Sequence, residues 1–150
     1  MSKRLWPPSF RMQKLFHFDC PEGEYQADAC VISCYDFRFD AQLRKFLKRR
    51  GVATYDHVKI PGSVKVIAQP DRDSDRDLVA GMVRTSMRLH RTTRLMLFGH
   101  RECGAYGGAP AEAIAADVAK AAAYFAKVEP TLQIESYFCD FDGVYGLGTG

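Results

Sequence analysis

Short apolar runs and amphipathic stretches alternate along most of the chain. Four apolar segments have the length and the β-branched or aromatic content of strands: residues 28–36, 55–60, 94–100 and 132–140. Continuous apolar runs of this kind are typical of strands buried on both faces, as in a parallel sheet. Residues 141–146 carry a turn signal and predict a short return strand.

Helical periodicity fills the stretches between the predicted strands. One helix is predicted over residues 39–51 with Gly51 at its end, a second over residues 78–90 and a third over the Ala-rich residues 110–127. The apolar residues 64–70 predict a further extended segment.

The acidic segment 71–77, with the sequence DRDSDRD, comes directly before the second predicted helix. Its Asp and Ser residues are predicted to cap that helix, and negative charge suits a first helical turn. We prefer this interpretation to a metal or phosphate motif.

The order of these elements predicts an α/β fold with a mostly parallel central sheet flanked by helices. We divide the chain into an N-terminal arm, residues 1–27, and a single domain, residues 28–150. The arm is rich in prolines and aromatic residues, and we expect an irregular segment packed by Trp6, Phe10 and Phe16.

Composition and charge narrow the class of protein. The 150 residues suffice for one domain with one core, and a net charge of +3 is too small to indicate nucleic-acid binding. No apolar run approaches the roughly 20 residues of a membrane span, and the N-terminus lacks the apolar core of a signal peptide. We therefore predict a cytoplasmic protein that binds neither nucleic acid nor membranes.

The odd number of cysteines, five, favours reduced thiols over a disulfide framework.

Unusual side chains follow the first predicted strand, at a position where parallel sheets bind ligands. Cys34, Asp36 and Arg38 alternate there, so in an extended chain they share one face. Arginine presents a fork that matches a carboxylate, so Asp36 and Arg38 can pair. Taken alone, this group favours a buried thiol beside a structural ion pair.

The end of the third predicted strand changes that interpretation. His100 and Cys103 are three residues apart, and Gly99 and Gly104 let the backbone bend closely around them. Together with Cys34 they provide three protein ligands, and zinc with three ligands keeps a fourth position open for water. The glycines after Cys103 could instead cradle a phosphate, but that leaves the imidazole and the thiol unexplained.

Three segments of the chain resemble the β-class carbonic anhydrases, and most closely their short carbonic anhydrase-like relatives. They are CYDFR at 34–38, HVKIPGS at 57–63 and LMLFGHRECGAYGG at 95–108. The segments occur in the order found in the family, and the resemblance extends from about residue 28 to the C-terminus.

The resemblance implies a zinc ion held by Cys34, His100 and Cys103, with Asp36 and Arg38 as a dyad beside the metal. In the family, the counterpart of Asp36 either hydrogen-bonds the zinc-bound water or closes the site by ligating zinc itself. The implied activity is reversible hydration of carbon dioxide to bicarbonate by a zinc-bound hydroxide. The implied working unit is a homodimer or a higher homo-oligomer.

The sequence departs from the family at two points. Phe37 stands where the family usually has Ser, and it should face away from the metal. Between Gly108 and Pro130 there is room for one helix, whereas typical members carry several that help to wall the substrate pocket.

Two alternatives to carbon dioxide hydration stay open. One is a zinc hydrolase of a similar substrate, carbonyl sulfide or carbon disulfide, which would share the metal site and differ only in pocket shape. The other is a non-catalytic, zinc-stabilised module. Asp36 and Arg38 argue against that module, because a purely structural zinc site needs neither.

The remaining cysteines, histidines and the nearby tyrosine have simpler explanations. Tyr106 is predicted to pack on the start of a helix rather than border the pocket. The other thiols and imidazoles are predicted to be core, surface or polar strand residues: Cys20, Cys30, Cys139, His17, His57 and His90.

Overall fold

The computed structural model describes residue 9 and residues 12–148. The strands are β1 (Ala29–Ser33), β2 (Tyr55–Lys59), β3 (Arg94–His100), β4 (Gln133–Asp140) and β5 (Gly143–Gly146). The helices are α1 (Asp40–Arg49), α2 (Lys65–Ala68), α3 (Asp73–His90) and α4 (Ala111–Val128). Single 3-10 turns occupy Phe37–Phe39 and Gly104–Tyr106.

The five strands form one sheet in the order β2-β1-β3-β4-β5. The first four are parallel, and β5 returns antiparallel to β4. This arrangement confirms the predicted α/β fold with its mostly parallel sheet. Because β1 and β3 are parallel neighbours, the residues that follow them meet at the same edge of the sheet.

Helices cover both faces of the sheet. Helices α2, α3 and α4 enclose one core with side chains such as Ile32, Leu97 and Val118, and α1 packs on the opposite face against Val31 and Phe98. All five residues of β1 and six of the seven of β3 are buried, which explains their uninterrupted apolar sequences.

The prediction of an extended segment over residues 64–70 is wrong. The chain forms the short helix α2 instead, directly after a tight turn in which Gly62 and Ser63 have φ angles of +76° and +52°. Val64 and Ile67 are three residues apart and are both buried. The spacing of these two residues indicates a helix, but it covers only one turn. A pattern this short cannot be distinguished from that of a strand.

The start of α3 corrects the prediction for the acidic segment 71–77. The helix begins at Asp73, and Arg72 occupies the N-cap without any side-chain cap hydrogen bond. Asp73 and Asp75 lie in the first turn, where their charge favours the helix dipole. The electrostatic part of the prediction agrees with the structure, and the capping part is wrong.

Within the arm, Phe16 does not pack as the sequence predicted. Phe16 is 81% exposed, while Trp6 and Phe10 lie outside the described residues. Tyr25 anchors the end of the arm, since its hydroxyl donates to Asp56 Oδ1 at 2.6 Å. The division between arm and domain stays a prediction.

Across the described ranges, none of the helices is both long enough and apolar enough to cross a lipid bilayer.

Candidate metal centre

The segment after β1 turns sharply instead of continuing as a strand. Asp36 caps the 3-10 turn Phe37–Phe39, and its Oδ1 accepts from the backbone N–H of Arg38 at 3.0 Å. The expectation that Cys34, Asp36 and Arg38 share one face of an extended chain is therefore wrong in its geometry. The turn, rather than strand alternation, brings the two charged groups together.

Asp36 and Arg38 form a forked ion pair. Arg38 Nε lies 3.1 Å from Oδ1 and 3.2 Å from Oδ2, and a terminal guanidinium nitrogen lies 2.8 Å from Oδ2. These hydrogen bonds lower the pKa of Asp36, so the carboxylate is ionised at neutral pH.

The loop after β3 orients the imidazole of His100. The carbonyl oxygen of Arg101 lies 2.8 Å from His100 Nδ1, and a carbonyl can only accept, so Nδ1 carries the proton. The lone pair of Nε2 is consequently free. Such a bond to the second ring nitrogen fixes the tautomer and orientation of metal-binding histidines.

The side chains of Cys34, His100 and Cys103 converge on one point. One ligand atom from each lies within 4.8 Å of the others, and the two sulfur atoms are 4.0 Å apart. In a tetrahedral zinc site with Zn–S bonds of about 2.3 Å, two sulfurs lie roughly 3.8 Å apart. In the described part of the chain, this is the one group of His, Cys, Asp or Glu side chains with metal-binding geometry.

A buried nitrogen supports the fit of a metal to this group. His100 Nε2 is inaccessible to solvent and has no hydrogen-bond partner among the described residues. A buried polar atom without a partner is costly, and a metal ion would satisfy it. Two thiolates and one neutral imidazole are a ligand set that zinc accepts.

The two thiols influence each other strongly. A hydrogen bond from the Cys103 thiol lowers the pKa of Cys34, and the same contact raises the pKa of Cys103. The pair therefore releases one proton readily and retains the second. A divalent cation that displaced the retained proton would hold both sulfurs as thiolates.

Sequence reasoning missed Glu102. It lies between two candidate ligands with a φ of +56°, and both its carboxylate and its carbonyl oxygen lie 3.3 Å from guanidinium nitrogens of Arg38. Arg38 thus connects Asp36 to the loop that carries His100 and Cys103. No sequence signal marks this contact, because it depends on the turns at both strand ends.

Ser63 and Gly62 join the ends of the two strands. The buried Ser63 hydroxyl contacts the carbonyl oxygens of Phe98 at 2.6 Å and of Ile32 at 3.3 Å. A Cβ on Gly62 would lie 3.0 Å from the Cβ of Ala105. The HVKIPGS segment therefore joins the ends of β1 and β3 and packs closely against the loop after Cys103.

Gly99 has a different role from the one the sequence predicted. A Cβ at this position would lie 2.9 Å from Ile114 Cγ2 and 3.1 Å from Val118 Cγ2. The missing side chain lets α4 approach β3 closely, directly beside the candidate ligand His100.

Replacing Gly99 with alanine is expected to lower the free energy of unfolding by about 1–3 kcal/mol, because the added methyl overpacks the contact with α4. Chemical denaturation measures this loss. Gly146→Ala is the matched control, since a Cβ added there would have no neighbouring atom within 4 Å among the described residues. Equal stability of the two variants would contradict the close-approach explanation.

The other three cysteines lie apart from the cluster. Cys30 and Cys139 are buried in the two main cores, and burial raises the pKa of each thiol to about 12. Cys20 is exposed in the arm. These positions agree with core and surface roles.

The aromatic residues near the site also match their predicted roles. Phe37 is 81% exposed, so it does not line the cluster. The hydroxyl of Tyr106 donates to the buried Asp117 at 2.9 Å, which fixes the turn after Cys103 to α4.

The remaining histidines have protein partners. His57 Nε2 lies 2.6 Å from Ser33 Oγ, His90 Nδ1 lies 2.7 Å from Asp56, and the exposed His17 lies 3.4 Å from Asp19. None of the three belongs to the metal-type cluster.

His57 is expected to make stability depend on pH. Burial, and then the nearby Lys59, lowers its pKa to about 4, whereas the unfolded chain titrates at about 6.5. The contribution to stability is therefore complete above about pH 6.5 and is lost as the pH falls towards 4. The melting temperature of His57→Gln should fall less between about pH 7 and about pH 5 than that of the unaltered protein. An identical fall in His57→Gln and in the control His17→Gln would contradict this.

The cavity beside the cluster is small. Ser33, Cys34, Asp36 and His100 are among its lining residues, and its volume of about 10 Å³ is close to the smallest space that holds one water molecule. A much larger cavity of about 750 Å³ lies between β2 and α3. The converging ligand atoms, rather than cavity size, identify the candidate site.

Solved structures share this fold. The chain superimposes on a β-carbonic anhydrase isoform of Trichomonas vaginalis with a TM-score of 0.59 and 14% identity, covering 87% of both chains. A carbonic anhydrase of Streptococcus mutans gives a TM-score of 0.55 at 14% identity, covering 83% of this chain and 84% of that one. At these identities the likeness concerns the fold.

Sequence comparison finds relatives and a family. Over 82 residues, 54% of this chain, the sequence is 28% identical to uncharacterized proteins of Rickettsia conorii and Rickettsia bellii. The matched stretch spans about half of those relatives, 44% and 50% of their lengths. The family model described as "Putative carbonic anhydrase" matches residues 25–145, which is most of the chain. The chain therefore belongs to this carbonic anhydrase family.

Proposed function

We propose that the protein catalyses the zinc-dependent, reversible hydration of carbon dioxide to bicarbonate. The observation that carries this proposal is the buried Nε2 of His100, which has no hydrogen-bond partner among the described residues and faces two cysteine sulfurs beside an ionised aspartate. Family membership supports the same reaction.

In this proposal Cys34, His100 and Cys103 are the zinc ligands. Zinc in such a site lowers the pKa of a water molecule at its open position towards neutrality and so supplies the nucleophile. The hydrogen bond from His100 Nδ1 to the carbonyl oxygen of Arg101 keeps the ligating nitrogen oriented.

Asp36 orients the attacking water. Its Oδ2 lies 3.9 Å from His100 Nε2, close to the point where the ligand atoms converge. The attacking water would first lose one proton to the solvent and become hydroxide. Since Arg38 keeps the carboxylate ionised, Asp36 would accept a hydrogen bond from the remaining O–H and direct an oxygen lone pair towards the carbon of carbon dioxide. A bond between the hydroxide oxygen and that carbon then gives bicarbonate, which leaves.

Arg38 acts on this step through its two partners. It holds Asp36 by a forked ion pair and contacts Glu102 in the ligand loop. This arrangement opposes rotation of Asp36 towards the ligand cluster. The protein's own contacts thus favour the state in which the carboxylate accepts a hydrogen bond.

Stopped-flow measurement of carbon dioxide hydration tests the proposal. Purified, reduced, zinc-replete protein should accelerate hydration, and the rate should rise with pH as the attacking water loses its proton. The chelator-treated protein is the control. If protein with one zinc per chain shows no acceleration at any pH, the proposed function is wrong.

A cytoplasmic location remains a prediction.

A further inference from the structure

A buried hydroxyl lies between the candidate metal centre and a half-buried histidine. Ser33 is the last residue of β1, directly before the candidate ligand Cys34, and it is buried. It lines the small cavity beside the ligand cluster together with Asp36 and His100. Ser33 Oγ also lies 2.6 Å from Nε2 of His57. One hydroxyl therefore borders the site cavity and contacts an imidazole outside it.

The sheet register explains this contact. Val31 on β1 is the direct neighbour of His57 on the parallel strand β2, and Val31 packs on the face of the sheet that α1 covers. Ser33 lies two residues after Val31 and therefore projects from the same face. The contact between Ser33 and His57 is thus a diagonal contact between two paired strands, which hold both side chains in place.

The distances assign the hydrogen of this contact to Ser33. Among the described residues, the hydroxyl has two possible acceptors, His57 Nε2 at 2.6 Å and the carbonyl oxygen of Cys34 at 3.4 Å. The second distance is long for a hydrogen bond from a hydroxyl to an oxygen. The hydroxyl therefore donates to Nε2, and the neutral ring carries its own hydrogen on Nδ1. Burial lowers the pKa of His57 to about 4, which keeps the ring neutral at physiological pH.

Solvent reaches the other nitrogen of the ring. His57 Nδ1 has no hydrogen-bond partner among the described residues, yet it is not one of their buried polar atoms that lack a partner. A surface pocket of about 100 Å³ lies beside the ring, with Asp40, Tyr55 and Lys59 among its lining residues. A pocket of this size has room for several water molecules. The ring thus connects Ser33 to water outside the site.

We propose that Ser33 and His57 carry a proton from the attacking water to the solvent. The inference rests on the proposed function, and it gives a path to the proton which that reaction releases. Water in the site cavity passes a proton to Ser33 Oγ while the hydroxyl hydrogen moves to His57 Nε2, and Nδ1 releases its hydrogen to water in the surface pocket. Both side chains stay neutral. Reorientation of the hydroxyl and the ring then restores the starting hydrogen bonds.

The charges near the two ends favour this path. A proton that leaves past Asp36 meets the guanidinium of Arg38, whose positive charge opposes its passage. The cation at the surface pocket is Lys59, and its Nζ lies 2.8 Å from Asp40 Oδ1, so an adjacent carboxylate balances its charge. The neutral pair of hydroxyl and imidazole therefore offers the proton a route with a smaller electrostatic barrier.

Stopped-flow kinetics of His57→Ala in weak buffer test the relay. We expect kcat to fall about 100-fold, whereas kcat/KM stays unchanged because it covers only the steps up to the departure of bicarbonate. Added imidazole should restore kcat, since it fits the space of the lost ring beside Ser33. A general loss of structure or of zinc would instead lower both constants, and imidazole would not reverse it.

Ser33→Ala and His17→Ala are the comparison variants. Ser33→Ala should lose kcat to the same degree, and imidazole should not restore it, because no hydroxyl remains to pass on the proton. His17→Ala should match the unaltered protein, since His17 is exposed in the arm and lines neither cavity. Unchanged kcat in His57→Ala, or recovery of Ser33→Ala with imidazole, would overturn the relay.

Nitrogen-15 NMR of the metal-free protein tests the same pair without turnover. At neutral pH, His57 should carry its hydrogen on Nδ1, and Nε2 should accept a hydrogen bond that is lost in Ser33→Ala. A ring protonated on Nε2 would overturn the relay. These outcomes leave the proposed function intact, whereas zinc-replete, unaltered protein that does not hydrate carbon dioxide would overturn that function and the relay with it.

Discussion

Cys103→Ser is expected to lower the affinity for zinc by at least about 100-fold. The substitution replaces a sulfur that lies 4.0 Å from Cys34 Sγ with a hydroxyl, which stays protonated at neutral pH and reaches less far. The remaining thiolate and imidazole then provide two ligands, too few for a stable tetrahedral site. Metal analysis after dialysis and competition with a chromophoric chelator measure the loss.

Cys139→Ser is the control for this experiment. Cys139 is also a buried thiol beside the site cavity, but it does not belong to the converging group. It should therefore retain one zinc per chain. Full zinc occupancy in Cys103→Ser would show that Cys103 is not a ligand.

Asp36→Ala is expected to reduce carbon dioxide hydration by about 10²–10⁴-fold while the protein keeps its zinc. Without the carboxylate, the attacking water loses its proposed hydrogen-bond acceptor, and Arg38 loses the partner to which it makes its shortest contact, at 2.8 Å. Stopped-flow rates together with metal analysis of the same sample separate the two effects.

Asp71→Ala provides a comparison, since Asp71 is an exposed carboxylate outside the site. It should hydrate carbon dioxide at the unaltered rate. Normal turnover in Asp36→Ala would remove Asp36 from the mechanism, and loss of zinc would instead make it part of the metal-binding shell.

The sequence predicts the sheet well because β1 and β3 are buried on both faces. Burial on both faces demands an uninterrupted apolar sequence, and that pattern is readable without a structure. The convergence of Cys34 with His100 follows from the same fact, since parallel neighbours end at one edge of a sheet. The ligand roles themselves stay predictions.

Features that depend on turns are less readable. The helix α2 follows the positive φ angles of Gly62 and Ser63, and a serine in that conformation is uncommon. The contact between Arg38 and Glu102 depends on two turns that are 64 residues apart in sequence. The alternation argument expected Asp36 and Arg38 to lie together, and the chain pairs them through a 3-10 turn instead of an extended strand.

The arm shows a different limit of prediction from the sequence. Apolar residues such as Phe16 predict burial, but the sequence does not say whether the residues that bury the side chain belong to the same chain or to another one. The described chain leaves this side chain exposed.

The contacts of the Ser63 hydroxyl affect the order in which the chain folds and binds metal. By contacting the carbonyl oxygens of Ile32 and Phe98, it joins the two ligand-bearing strands through protein contacts alone. We therefore expect folding alone to bring the strand ends that carry Cys34 and His100 together, before any metal binds. Zinc uptake should be a simple bimolecular reaction of an already folded apoprotein, and a chelator should remove the metal while the native fold persists.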